Sequence, residues 1–419
     1  MTKPTKPWAV LAYTVADDKG GGSGLDAGAR RELKAICDAA NFGRMSVAAQ
    51  VDFRRPKGVF RGSMTAPPPK SRGFSDVRAE DHPLWQQILG AVDLTATRLR
   101  VQHEPVDLSA ARASVLEDFL RFGRAECPAD RYVVSFYGHA YGPMGLFCDR
   151  VTGQREKDTL RLGDLAGSMT AATGRASVTV FRDCFMSTLE TVCQLRHATE
   201  FMVASQSLVP AEGVWPWNAF LAALTDEATP YEAGRALVQQ LAFFLDDPAN
   251  RGGFATTPYT LLDMNAAGAV TADLAALTKA LLSARRDPAR SRACAAALEG
   301  ARIGTPEDAA SPGDPALLDV LTMCDRLAAL TGDPVTRPAA RLGRTVGTEL
   351  VRWHHAQRPG HRGTALFYKP VRRRDLRLSY LQAEDVTVAA EDAAHYRTLA
   401  LSAATGWDQL ALDPLPLGD

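Results

Sequence analysis

The 419-residue chain has no excess of either charge, since 48 Lys and Arg stand against 48 Asp and Glu. Without a basic surplus there is no electrostatic footprint for nucleic acid or an anionic membrane, so small molecules or proteins are the expected partners. Long hydrophobic runs are missing as well: none approaches the roughly 18 consecutive apolar residues that span a bilayer. The opening "MTKPTKPWAVLAYTVADD" is basic and then apolar, but it closes on two aspartates where a signal peptide would carry a small-residue cleavage site. It reads as a first strand. The seven cysteines, at 37, 127, 148, 184, 193, 294 and 324, include no CxxC pair. That usage predicts a reducing, cytoplasmic setting and leaves both metal binding and a reactive thiol open.

What the sequence does have is an alternation of apolar runs and amphipathic segments. "WAVLAYTV", "MSVAAQVDF", "GVFRGSM", "RYVVSFY", "SVTVF" and "FMVAS" read as strands. Between them, "AGARRELKAICDAA", "PLWQQILGA" and "SAARASVLEDFLRFGRAE" read as helices, the last with Ser109 as N-cap and an apolar stripe of Val115, Phe119 and Phe122. Short apolar strands separated by helices predict an α/β fold with a parallel-rich sheet covered on both faces. Beyond about residue 225 the pattern turns mainly helical, with strands at "PYTLLDM" and "TALFYKP" and a loop at "TPEDAASPGDP". The expected division is a catalytic domain over 1–225 and a second α/β subdomain over 226–419.

Two reactive residues follow predicted strands. His139 comes after "RYVVSFY" in "GHAYG", and Cys184 comes after "SVTVF" in "FRDCFMS". In open α/β sheets ligands gather at the carboxyl ends of strands. A thiol and an imidazole within reach form the usual pair for attack on a carbonyl, with the thiolate as nucleophile and histidine moving the proton. Met186, Leu189, Val192 and Cys193 fall at helical spacing, which predicts a helix N-terminus near the thiol whose dipole favours thiolate. Against this stands the plainer reading that a free cysteine is inert packing and a histidine among glycines belongs to a turn. His354 and His355 are adjacent on an expected helix and point to different faces, so no metal site is predicted there.

On these residues the sequence resembles the clostripain-like cysteine peptidases, which have a caspase-type fold. "WAVLAYTVADD" is similar to the family's first strand, "DRYVVSFYGHAYG" to its histidine strand, "FRDCFMSTLE" to its cysteine segment, and "MVASQSLVPAEGVWPW" to the stretch that follows. "PYTLLDM", "GTALFYKP" and "YRTLALSAATGWDQL" resemble its later elements. The resemblance implies a cysteine endopeptidase acting on protein or peptide substrates. His139 would be the general acid and base, Cys184 the nucleophile, and the N–H groups of Ala140 and Cys184 an oxyanion hole. No cofactor is required, and calcium, which supports some members structurally, is left open because no EF-hand-type loop is present.

The departures concern specificity. Ala140 replaces the family's glycine after the histidine, and Arg182 replaces an aspartate that helps the relatives select Arg or Lys at P1. Side chains two apart on a strand share a face, so Arg182 is expected to point with Cys184 and Asp183 away from it. With Asp183, Ser205 and Glu212 as further substrate-binding residues implied by the resemblance, three pockets follow. A dominant Arg182 selects acidic P1, Arg182 with Glu212 selects Asn or Gln, and a neutralised Arg182 leaves Glu212 to select Arg or Lys. An Arg182–Glu212 pair that merely closes the site is the plain alternative. The charged stretch at 148–160, with Arg150, Arg155 and Lys157, reads as an exposed loop where cleavage, by the enzyme itself or an upstream protease, would activate it. An inactive scaffold and an acyl transferase remain as rival readings.

Overall fold

The computed structural model describes residues 5–16, 24–41, 43–53, 58–64, 99–101, 108–149, 158–210, 215–251, 257–303, 317–356, 361–368 and 390–417. The first part of the chain builds β1 (Lys6–Val15), α1 (Gly24–Ala39), β2 (Met45–Phe53), β3 (Gly58–Met64), β4 (Leu99–Val101), α2 (Ala113–Glu126) and β5 (Ala129–Tyr137). A hairpin follows, β6 (Leu146–Asp149) and β7 (Asp158–Leu160), then α3 (Leu162–Thr173), β8 (Ala176–Arg182), α4 (Leu189–Leu195) and β9 (Thr199–Ala204). Next come α5 (Trp217–Ala222), α6 (Pro230–Asp246), β10 (Tyr259–Asp263), α7 (Ala267–Ala284) and α8 (Pro288–Glu299). The last part contains β11 (Leu317–Asp319), α9 (Val320–Ala328), α10 (Thr336–Thr345), β12 (Val351–His355) and β13 (Ala365–Phe367), and closes with short helices after residue 390.

Nine strands form one sheet in the order β12-β10-β9-β8-β5-β1-β2-β3-β4. The five from β9 to β2 run parallel, while β10, β12, β3 and β4 are added antiparallel at the two edges. Burial explains why the central strands read as continuous apolar runs: Ala9, Leu11, Tyr13 and Val15 of β1 enter one core, and Trp8, Val10 and Ala12 enter the other. The first core is filled from α2, α3, α4 and α7, the second from α1, α5 and α6. The result is three layers, helices on both faces of a parallel-rich sheet, and the strands β10 and β12 from beyond residue 225 lie in that same sheet. By length and composition the segment Met264–Ala284 could cross a membrane, but Val270, Leu274, Leu277 and Leu281 are buried in the core.

Two local expectations are corrected. α2 begins at Ala113 with Arg112 as its N-cap residue, so Ser109 lies ahead of the helix and does not cap it. His354 and His355 sit on strand β12, opposite Thr260 and Tyr259 of β10. They still alternate between faces, as the strand period requires. The expected helix "PLWQQILGA" and loop "TPEDAASPGDP" lie outside the described residues.

Candidate active site

The register of the sheet brings the two reactive residues to the same rim. β5 and β8 are parallel neighbours with Tyr137 opposite Arg182. His139 and Cys184 each lie two residues further on, past the carboxyl ends of strands about 4.8 Å apart. Each then enters a tight turn. Gly138 admits no side chain, because a Cβ there would stand 2.7 Å from the Phe147 ring and 2.9 Å from the Val15 carbonyl oxygen. Gly145 has φ 118° and would place a Cβ 2.4 Å from the Leu160 carbonyl oxygen. Between them the chain folds back on itself: the Phe147 N–H donates to the His139 carbonyl at 2.8 Å and the Tyr141 N–H to that of Gly145 at 2.9 Å. Ala140 faces Leu146 across this bridge and is buried.

Cys184 follows β8 in a turn whose next residue, Phe185, holds φ 59°. A positive φ in an aromatic residue is strained backbone that the surroundings must fix. They do so through the Phe185 N–H to the Ser207 carbonyl at 3.1 Å and the Ser187 N–H to the Ser205 carbonyl at 2.9 Å. The histidine turn lies beside this one, since a Cβ on Gly142 would stand 3.3 Å from the Phe185 carbonyl oxygen. The two turns therefore lie side by side.

The thiol is not at a helix N-terminus. α4 begins only at Leu189, where Thr188 caps it, and the four intervening residues are irregular. The Cys184 sulfur instead accepts the Val209 N–H at 3.3 Å and lies 3.9 Å from the Val209 carbonyl oxygen. Burial pushes the thiol pKa up to about 12, the Val209 bond works against that shift and the Asp183 charge adds to it. In this conformation Cys184 is a partly exposed thiol whose pKa is raised, the opposite of the dipole-activated thiolate that the spacing predicts.

Arg182 is buried and pairs with Glu32 on α1. Glu32 also accepts the Trp217 indole N–H at 2.7 Å. The guanidinium lies 5.0 Å from the Tyr137 ring centre and 5.5 Å from that of Trp215, and it donates to the Pro210 carbonyl at 3.4 Å. This removes the free positive charge on which an acidic P1 pocket depends. Asp183 points elsewhere and is fully buried, with no hydrogen-bond partner for either carboxylate oxygen among the described residues. Burial raises its pKa well above the ordinary value, with Arg182 opposing. Ser205 is buried too, and its hydroxyl accepts the Ser207 N–H at 3.1 Å, so in this conformation it offers nothing to a substrate. Glu212, Arg150, Arg155 and Lys157 lie outside the described residues. The ends of the 148–160 loop are held: Asp149 pairs with Asp158 across the hairpin, accepts the Ala110 N–H at 2.8 Å, and Asp158 pairs with Arg112 at 2.8 Å.

The sequence does not announce the second half's hold on this site. Ser187 donates to the Gly363 carbonyl at 2.6 Å and accepts the Ala365 N–H at 2.8 Å. Gln206 donates to Asp319 at 3.0 Å and accepts the Gly363 N–H at 2.7 Å. Glu190 accepts the Phe367 N–H at 2.9 Å and the Tyr396 hydroxyl at 2.7 Å. Glu32 left a clearer trace: it lies among Ala29, Leu33 and Ile36 on the buried stripe of α1, where a carboxylate needs a partner. Among the described residues no three His, Cys, Asp or Glu side chains group as a metal site. His355 instead lies 3.0 Å from Asp246.

Comparison with known proteins defines the class. Residues 101–303, which include both His139 and Cys184, match the model of the clostripain family. A secreted C11 cysteine protease from Bacteroides thetaiotaomicron, solved with an irreversible peptide inhibitor, superposes with TM-score 0.62 at 14% identity, covering 96% of this chain and 99% of that one. An inactive zymogen C11 protease from Parabacteroides distasonis gives TM-score 0.63 at 13% identity over 97% and 99% of the two chains. No curated protein matches the sequence. The chain is a cysteine peptidase with a caspase-like fold. Over residues 101–303 it is similar to the clostripain family.

Proposed function

We propose that the protein is an endopeptidase with a Cys184–His139 dyad and no required cofactor. The observation that carries this reading is the register, Tyr137 opposite Arg182, which sends His139 and Cys184 into neighbouring turns at one rim of the sheet. His139 takes the thiol proton as the sulfur bonds to the scissile carbonyl carbon, and the N–H groups of Ala140 and Cys184 hold the oxyanion. Neither bond of the Ala140 bridge uses the Ala140 N–H. As the C–N bond breaks, His139 gives that proton to the leaving amine. Water then attacks the thioester, again losing a proton to His139, and the thiol is restored as the acid leaves.

Neutralisation of Arg182 by Glu32 supports basic P1 over acidic P1, with Glu212 as the selecting residue. The raised pKa of the Cys184 thiol supports a resting form that cleavage within 148–160 activates. Wild type and Cys184→Ala should be incubated with a proteome-derived peptide library while both enzymes' intact masses are recorded. Cuts after Arg or Lys by wild type alone, accompanied by a nick in that loop, are expected. Cuts by both proteins would sink the nucleophile assignment, and cuts after Asp or Glu would sink the pocket reading. Silence from a chain already nicked in the loop would favour the inactive scaffold.

A further inference from the structure

Arg182 and Glu32 do more than fill the core beside the site. The segment 205–210 leaves β9 and passes over the Cys184 turn. At one end Gln206 holds it to Asp319 and Gly363, and near the other Arg182 donates to the Pro210 carbonyl at 3.4 Å. Between these two anchors Val209 presents its N–H to the Cys184 sulfur at 3.3 Å. The guanidinium that reaches Pro210 is itself fixed by Glu32, which α1 and the Trp217 indole N–H hold in turn. Tyr137 and Trp215 flank it with ring centres 5.0 and 5.5 Å away.

We propose that Glu32 and Arg182 are positioning residues for the nucleophile: they fix the 205–210 segment so that the Val209 N–H stays on the Cys184 sulfur and supports it when it loses its proton. This rests on Cys184 being the nucleophile. The chain of contacts runs from α1 through Glu32, Arg182, Pro210 and Val209 to Cys184, so the pair acts on the chemistry without touching substrate. A buried ion pair is a poor source of stability, because replacement by apolar residues is often neutral or stabilising. Fixing one backbone donor on a reactive sulfur is a use that apolar replacements cannot supply. Among the described residues, the charged and titratable groups around Cys184 are Asp183 and Arg182 on its own turn, His139 from the end of β5, Glu32 from α1 and Tyr259 from β10. Only the Val209 N–H is bonded to the sulfur through the segment that Arg182 holds.

The test uses the full chain and reads Cys184 directly. Iodoacetamide labelling of the Cys184 peptide is followed by mass from neutral to mildly alkaline pH. Wild type is compared with two double variants, Glu32→Gln with Arg182→Gln and Glu32→Leu with Arg182→Met, which leave no lone buried charge. Labelling about tenfold slower at neutral pH, with the profile displaced to higher pH, is expected in a variant that melts cooperatively. Unchanged labelling would reduce the pair to a brace, and faster labelling would make the segment a cover instead of a donor, so either result overturns the proposal. If neither variant folds, amide hydrogen exchange of wild type decides: Val209 should be protected, and exchange at the rate of exposed loops overturns it. None of these readouts depends on peptide cleavage, so a Cys184→Ala enzyme that still cuts would fail the proposed function separately.

Discussion

The Cys184 turn hangs between two anchors built on opposite principles. On its upstream side Arg182 enters a buried ion pair with Glu32 inside a shell of Tyr137, Trp215 and Trp217. On its downstream side Ser187 and Gln206 meet Gly363, Ala365 and Asp319 through hydrogen bonds. The downstream bonds use backbone groups that must be satisfied wherever they are buried, so each contributes modestly and none is much costlier to lose than another. The upstream anchor concentrates its effect in two charges whose desolvation is offset only while both are present. A site held in this way tolerates small changes on one side and is brittle on the other.

The sharpest way to break the comparison is to remove one charge. Glu32→Gln leaves Arg182 buried without its carboxylate, and a loss of about 3–5 kcal/mol is expected in denaturant unfolding. A loss near the exposed-pair range of about 0–1 kcal/mol would show that water reaches the guanidinium. Next in size is Gln206→Ala. It deprives the Gly363 N–H of its acceptor and Asp319 of one donor, both buried, for about 2 kcal/mol. Because Asp319 keeps the N–H groups of Arg362 and Thr322, the downstream anchor should weaken without collapsing. A larger loss than that of Glu32→Gln would reverse the ranking of the two sides.

That asymmetry was only half legible in the sequence. His139 and Cys184 could be singled out because both follow apolar runs, and a run that is buried on both faces has a plain signature. The direction of β10 could not be read from its apolar run, and β12, "VRWHH" with alternating burial, reads as helix by sequence. Spacing from Met186 to Cys193 is helical, yet the hydrogen bonds of Phe185 and Ser187 to the segment after β9 keep the first residues in a turn. Those partners are tertiary, and periodicity carries no trace of them. Arg182 was recognised as unusual, but its partner lies 150 residues away, and only the placement of Glu32 on an apolar stripe could have pointed to it. Ser187 and Gly363, 176 residues apart, left no signal at all.

Ser187→Ala sharpens the downstream side further. It removes the hydroxyl bond to the Gly363 carbonyl while leaving the Ala365 N–H on the Ser187 carbonyl, and about 1 kcal/mol of stability should be lost. Peptidase activity should fall no more than the folded fraction does. A drop in turnover at full folding would mean that this bond also sets the geometry of Cys184.

The smallest effect, and the only gain, is expected at Asp183, which belongs to neither anchor. Its carboxyl is buried with a pKa raised chiefly by desolvation, so the folded chain holds a proton there that the unfolded chain releases near pH ~3.9. Stability from such a group is fully present below the unfolded pKa and declines as pH rises toward the folded one. Asp183→Asn is nearly the same shape and cannot ionise, so it should match wild type in acid and melt higher at neutral pH. The amide still has buried polar ends without partners, which keeps the net gain below about 1 kcal/mol. Melting temperatures of both proteins at acid and neutral pH check this. A variant less stable than wild type at neutral pH would mean that Asp183 is ionised in the folded state, and that Arg182 answers to two carboxylates instead of one.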